Sequence, residues 1–495
     1  MHSSEKQPLI GVIDMGSNSV RLVVYDGLKR VPKVLYNEKY DCRLGDGLEE
    51  TGRLTEASKE RTRKAVARFV YLAKHMEVSE LYTQATAALR DAKDGPEFVQ
   101  ELQENFGLEP EVISGRREAE LAALGVMASL HKTEGFAGDF GGGSFELVKL
   151  HHKRFSARQS LPMGALRLVD RAGTDVDKMR GIIRDYLAQI DWLNPSEDTK
   201  QFYAIGGGFR SLAKVHMQQV GYPLEQLHGY KLESDILLPF LRELEQIPPS
   251  EWGDIDGLAS RRHTSFLPSI LILQEVIRAS ECERVIFSRS GIREGLLYDR
   301  LPAEERSILA LPASLKNIQN KRQMDKDYAR VLEAWIMSIA PEAVAQDTKR
   351  HVLHAMCELG DMALPITQDF RAQWAFDHII QANIWGMSHR ERVLLALAVY
   401  HRYRRRWRKE NNPLLSIVNE RQLHWAQLVG QLAEFAFELS GGVGELLKDI
   451  TLERVENGQL SLSGTDEALA MLPPMSEKRL NGLSDMLSAY ESFVS

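Results

Sequence analysis

The chain has few cysteines. Cys42, Cys282 and Cys357 lie far apart in 495 residues. None pairs at a metal-type spacing, so a disulfide framework is excluded and free thiols in a reducing cytosol are expected. Long apolar runs are missing as well. "VLLALAVY" (393–400) is among the longest, well short of the roughly 18 residues a membrane helix needs. The opening segment, MHSSEKQPLIGVID, holds no apolar core of signal-peptide length, so no leader is expected. Positive charge is in deficit. The formal net charge is -7, which argues against a general nucleic-acid binder but leaves room for a local basic patch. What is present is ordinary: 43% hydrophobic and 26% charged residues, the composition of a globular protein. The length is too great for one core, so two to four domains are expected.

The first three hundred residues alternate short apolar strands with helical patterns, which implies an α/β architecture. "EASKERTRKAVARFVYLAKHM" predicts an amphipathic helix with Ala65, Phe69, Leu72 and Met76 on one face. "SGRREAELAALGVMASL" predicts a helix capped by Ser114. One pattern occurs twice: strand, Asp, glycine-containing turn, strand. It is found in "IGVIDMGSNSVRLVVY" (10–25) and in "AGDFGGGSFELVKL" (137–150). Two such hairpins imply two related subdomains facing one cleft. Beyond about residue 305 the character changes. "LPAEERSILALPASLKNIQNKRQ" (301–323) reads as a linker, and from Asp325 onward the patterns are helical. Glycines cluster at 440–464, where a small strand pair fits. The expected division is a first α/β lobe at 1–133, with 294–308 returning to it, a second lobe at 134–293, and a helical domain at 309–495.

The glycine turns are not the common phosphate loops. A P-loop requires G-x-x-x-x-G-K-[S/T], and no lysine follows Gly141, Gly142 and Gly143. A dinucleotide fingerprint requires a third glycine opening a helix. Glu146 stands at that position and the residues after it read as extended. Each turn therefore joins strand to strand. Bare glycine backbone lets an anion approach the amide N–H groups, and Ser144 adds a hydroxyl donor. Gly16, Ser17, Asn18 and Ser19 offer the same in the first turn. A carboxylate beside each turn would repel an anion by itself. It makes sense when a divalent cation lies between carboxylate and phosphate. Asp14, Asp139 and Glu146 are the candidate Mg2+ ligands, direct or through water. The competing reading is that the Asp residues only shape hairpins by accepting backbone N–H bonds.

Six stretches now stand in order: "IDMGSNSVRLVVYD" (13–26), "RLGDGLEETGRL" (43–54), "ATAALRDA" (85–92), "ISGRREAEL" (113–121), "GDFGGGSFELV" (138–148) and "SRSGIREGLLYD" (288–299). Together they closely resemble the exopolyphosphatase/guanosine pentaphosphate phosphohydrolase family, over roughly residues 8–300 and more loosely beyond. The resemblance implies two ribonuclease-H-like lobes of the actin-like ATPase and sugar-kinase superfold. It also implies a Mg2+-dependent release of terminal phosphate from inorganic polyphosphate or guanosine pentaphosphate, and a homodimer. By the same resemblance Glu118 is the general base for water, and Arg90 neutralises phosphate charge. Arg293 and Arg21 are further candidates for that charge. Without the family, Glu118 reads as a first-turn glutamate favoured by the helix dipole, and each arginine as a surface ion pair. "YAIGGGFRSLAKV" (203–215) matches a third glycine motif, with Phe209 and Arg210 where relatives often carry threonine. The expected activity is an exopolyphosphatase; the competing ones are guanosine pentaphosphate hydrolysis, a kinase on the same superfold, and a polyphosphate or alarmone sensor without turnover.

Relatives with long tails carry a domain resembling the metal-dependent HD phosphohydrolases. Here the H…HD…D pattern is broken. "HVLHAMCELGDMALP" (351–365) has Glu-Leu-Gly-Asp in place of the pair, and "DHII" (377–380) reverses it. A metal held by His351, His354, Asp361, His378 and His401 is therefore not expected. "HRYRRRWRK" (401–409) is the local basic patch. Arg402, Arg404, Arg405, Arg406 and Arg408 are candidates for a polyanion track, on the model of a basic groove with interleaved aromatics. The competing reading is a solvated helix face or a dimer contact.

Overall fold

The computed structural model describes residues 8–151, 154–195, 200–319, 327–339, 347–405, 412–455, 459–474 and 476–492. The chain divides into two compact units, 1–310 and 311–495.

The first unit holds two mixed sheets. Strands β1 (Leu9–Met15), β2 (Val20–Tyr25), β3 (Val34–Tyr40), β4 (Val78–Ala85) and β5 (Glu111–Val112) lie in the order β3-β2-β1-β4-β5. The pairs β1/β2 and β2/β3 are antiparallel, whereas β1/β4 and β4/β5 are parallel. Strands β6 (Gly135–Phe140), β7 (Phe145–His151), β8 (Arg154–Leu161), β9 (Gln201–Ile205), β10 (Tyr230–Glu233) and β11 (Arg284–Phe287) form the second sheet, ordered β10-β11-β9-β6-β7-β8. Read as β8-β7-β6-β9-β11, with β10 added antiparallel at the edge, it repeats the first sheet strand for strand. These are the two ribonuclease-H-like lobes of the actin-like fold.

The central strands are buried on both faces and read as nearly continuous apolar runs, as expected for strands covered by helices. Ile13, Met15, Leu22 and Val24 face the helix Glu56–His75 through Ala65, Val66 and Phe69. That helix is capped by Thr55, whose side chain accepts from Ser58 N. Ile10, Val12, Val23 and Tyr25 face Leu121, Leu296 and Leu297. The helix Gly115–Ser129 begins where its sequence predicts, with Ser114 accepting from Arg117 N. It lies between the two sheets. Leu121 packs on the first, and Ala119, Ala122, Ala123 and Val126 pack on Ala137, Val148, Tyr203 and Ile205 of the second. Small side chains are required there because two layers converge on one helix. Gly295 of the helix Ile292–Arg300 has no room for a Cβ against the Leu121 carbonyl.

The segment read as a linker is largely helical. Helices occupy Ala303–Ser307 and Ala310–Ile318, and the second buries Leu311 and Leu315 in the core of the second unit. Burial of Leu311 and Leu315 accounts for the second helix; residues 320–323 of that segment lie outside the described residues. The second unit is built on the helices Tyr328–Met337, Asp347–Leu359, Arg371–Gln381, His389–Tyr403 and Glu420–Ser440. It is not wholly helical. An antiparallel ribbon of β12 (Ile450–Arg454) and β13 (Leu460–Gly464) forms at the glycine-rich break. Among the described residues no helix is long and apolar enough to cross a membrane.

Candidate active site

The two repeated hairpins meet. In the first, Gly16 N donates to Ser19 O at 3.0 Å; in the second, Gly141 N donates to Ser144 O at 3.0 Å. The turns abut one another across the lobes. A Cβ on Gly143 would lie 2.5 Å from Ser17 Oγ, and one on Gly142 would lie 3.4 Å from Asn18 N. Glycine is needed at 143 because the opposing turn fills the space a side chain would take, whereas at 142 a side chain would only be a tight fit. This adds a packing reason to the anion-access reason read from the sequence. The start of the helix Ala165–Ala172 braces the second turn, with Ala165 N and Leu166 N donating to the carbonyls of Gly141 and Gly142. The same helix ties the lobes together, since Arg171 Nε donates to Glu49 at 2.7 Å and Arg167 pairs with Asp91.

Asp14 is the last but one residue of β1 and Asp139 holds the same place in β6. Their cross-strand partners differ: Asp14 stands opposite Arg21, and Asp139 opposite Glu146. The pseudo-symmetric positions therefore carry opposite charge. Asp14, Asp139, Glu146 and Glu118 all line one cleft, together with Gly16, Ser17, Asn18, Ser19, Arg21, Gly141, Gly142, Gly143, Ser144 and Arg293. Of the sequence candidates in this unit, only Arg90 is outside that wall. Its guanidinium donates to Glu118 Oε2 at 2.9 Å and to Ile113 O at 3.1 Å. The resemblance assigned Arg90 to phosphate. In this structure it is bonded to the buried glutamate, which has no other cation bonded to it among the described residues.

Burial dominates the electrostatics. It pushes Glu118 up to about 7, with Arg90 opposing the shift. It pushes Asp139 up to about 6, with Arg210 opposing and Asp14 adding to the rise. Asp14 is raised by burial against the pull of Arg293 and Arg21, and Arg293 Nε stands 3.8 Å from Asp14. Glu146 is held well above the usual carboxylate range by burial and then by the nearby charge of Glu118. Four carboxylates held this way favour a bound cation or retained protons. The donor set is all oxygen, which suits Mg2+. Among the described residues, however, no group of three His, Cys, Asp or Glu side chains is arranged to hold a metal ion. Asp14, Asp139 and Glu146 line one cleft without forming such a group. Mg2+ usually keeps several waters and takes one or two carboxylates beside substrate phosphates.

The same cleft is also strongly cationic, a property largely unforeseen in the sequence. Lys39, Arg43, Arg210, Arg261, Arg262 and Arg289 join Arg21 and Arg293 in the cleft. Arg21 and Arg210 are each pushed down to about 10, first by burial and then by the charge of Arg293. Arg262 is lowered by burial and by Arg261. Cations crowded enough to depress one another form a site for a polyanion. Arg210 carried a signal, its place in the first turn of the helix Gly207–Gln219 behind a glycine run. Arg262 carried none, because its guanidinium lies over Gly207, far away in sequence, where no Cβ would fit. Phe209 is core, stacked on Phe140 with centroids 5.4 Å apart.

The basic stretch is not a continuous track. Arg402 is 2% exposed, pairs with Asp361 at 3.1 Å and with Glu434, and lies over the Phe437 ring. The helix His389–Tyr403 turns this arginine toward its buried face, so it is removed from the polyanion candidates. Arg404 is half-buried, Arg405 is exposed, and Arg406 and Arg408 lie outside the described residues. The five candidate metal residues of this unit face different partners. His351 pairs with Glu391 and His354 with Glu333, and Asp361 pairs with Arg402. His378 stacks on Trp374, and His401 Nδ1 meets the Arg404 carbonyl.

Comparison with known proteins gives a consistent picture. A model of the Ppx/GppA phosphatase family matches residues 23–304, and a model of the exopolyphosphatase C-terminal region matches residues 321–494. A crystal structure of the Aquifex aeolicus member of the Ppx/GppA family is similar, with 27% identity and a TM-score of 0.51 over 59% of this chain and 96% of that one. An exopolyphosphatase from Cytophaga hutchinsonii is similar at 25% identity and a TM-score of 0.53, over 59% and 96% of the two chains. The yeast protein named Retrograde regulation protein 2 is 25% identical across 80% of this chain and 72% of its own length.

Proposed function

Because the chain belongs to the Ppx/GppA phosphatase family, we propose that its cleft hydrolyses the terminal phosphoanhydride bond of inorganic polyphosphate and releases orthophosphate. The observation that carries this reading is the pairing of Glu118, buried and held at about 7, with a wall of mutually repelling arginines. A general base works best with a pKa near the operating pH. Phosphoryl transfer asks mainly for positioning and charge stabilisation. Arg21, Arg210, Arg262 and Arg293 bind the phosphate oxygens, and the amides of the two glycine turns orient them. A water attacks the terminal phosphorus in line, and Glu118 accepts its proton. The P–O bond to the rest of the chain breaks, and the electron pair leaves with the shortened polyphosphate. Arg90 holds the Glu118 carboxylate toward the water. Asp14, Asp139 and Glu146 are the residues that would hold Mg2+, which supplies positive charge against the phosphate oxygens.

The similarity to an exopolyphosphatase supports polyphosphate over guanosine pentaphosphate. A second reading, binding of polyphosphate or an alarmone without turnover, is favoured by the regulatory name of the yeast relative. The test is orthophosphate release by the purified protein with Mg2+, comparing long-chain polyphosphate, guanosine pentaphosphate and ATP. Release from polyphosphate alone is expected, and loss of most turnover in a folded Glu118→Ala variant. Preference for guanosine pentaphosphate would replace the substrate, and tight binding with no release would favour the second reading.

A further inference from the structure

Glu146 is held by a residue the mechanism above does not use. Ser160 stands on β8 directly across from Glu146 of β7. Its hydroxyl donates to Glu146 Oε1 at 2.7 Å. The same side chain presses on the first lobe. A Cβ on Gly115 would meet Ser160 Cβ at 2.5 Å and Ser160 Oγ at 2.6 Å, and the Arg90 guanidinium carbon at 3.8 Å. Gly115 opens the helix that carries Glu118. Ser160 is therefore a joint where the strand beside one carboxylate meets the helix bearing the other.

A glutamate turns easily about its last torsion, which is broad and roughly two-fold. At 1% exposure Glu146 has little solvent to orient it. A hydrogen bond to one oxygen fixes the plane of the carboxylate and so the direction of its remaining lone pairs. Ligating carboxylates are commonly oriented in this way by outer partners, whose loss weakens metal binding roughly tenfold to a hundredfold.

We infer that Ser160 is a positioning residue that fixes the Glu146 carboxylate for a divalent cation and, through Gly115, keeps it in register with Glu118. The inference deepens the phosphatase reading and rests on it for the purpose of the cation. The test is calorimetric titration of Mn2+ into the full-length protein without substrate. Ser160→Ala is expected to raise the Mn2+ dissociation constant roughly tenfold to a hundredfold, with thermal unfolding in the absence of metal still cooperative. Ser160→Cys keeps nearly the same volume but is a weak donor, and the same loss is expected. The inference is overturned by Mn2+ affinity in Ser160→Ala equal to that of the unmodified chain. Wild-type affinity in Ser160→Cys overturns it too, since packing would then be the whole role. So does an unmodified chain that takes up no Mn2+. No phosphate compound enters the titration, so its failure is distinct from failure of the proposed hydrolysis.

Discussion

At the scale of single residues, Glu118 shows what burial does to a sequence signal. In the sequence it is a glutamate in the first turn of a helix, and that position alone suggests a dipole contact. Its assignment as a base came from the family resemblance. In the structure the Gly115–Ser129 helix carries it between two sheets at 5% exposure, with Arg90 bonded to it. The pH dependence follows. A carboxylate held at about 7 accepts a proton from water only when ionised. kcat/KM is expected to rise with pH through about 7 and then level. Arg90 lowers the Glu118 pKa, so Arg90→Met removes that pull and moves the rising limb to higher pH. A pH–rate profile of the two proteins checks the sign, and a limb that stays put or moves acidward would show that Glu118 is not the titrating base. Arg262 was illegible for a different reason. Its guanidinium lies against Gly207, distant in sequence, and no local pattern records such a contact.

At the scale of elements, the doubled hairpin was legible because strand, Asp and turn are local and recur in order. The sheet order that makes the hairpins equivalent was not legible from the residues, since parallel neighbours such as β1 and β4 pair across about seventy positions. The basic stretch failed in the opposite way. Its composition was read as a surface, but helical periodicity turns Arg402 inward to Asp361 and Glu434. The hairpins themselves yield a prediction about packing. Gly143→Ala would bring a methyl to 2.5 Å from Ser17 Oγ and 2.9 Å from Ala87 Cβ. Overpacking of this kind costs about 1–3 kcal/mol. Ser17→Ala in the same chain removes the hydroxyl but leaves the Ala87 contact, so it should recover only part of the loss. Thermal unfolding of the single and double variants measures both effects. Gly143→Ala as stable as the unmodified protein would mean that the turns do not abut.

At the scale of the whole molecule, the division at 310/311 leaves the cleft residues within the first unit. Every residue lining the cleft falls between Asp14 and Arg293. The hydrophobic clusters respect the same boundary. One belongs to the second unit, and the other four lie within residues up to Leu297. The Aquifex aeolicus relative, nearly all of which is matched, corresponds to only 59% of this chain. A chain with its own cores and a complete cleft has what it needs to fold alone. Residues 1–310 expressed alone are therefore expected to unfold cooperatively. They should also keep phosphate release from short polyphosphates within a few-fold of the full chain, with the same loss on Glu118→Ala. The comparison should use both short and long chains. A fragment that melts cooperatively but has lost activity on every length would show that the second unit contributes to the chemistry. Activity kept on short chains and lost on long ones would assign the second unit a part in holding the polymer.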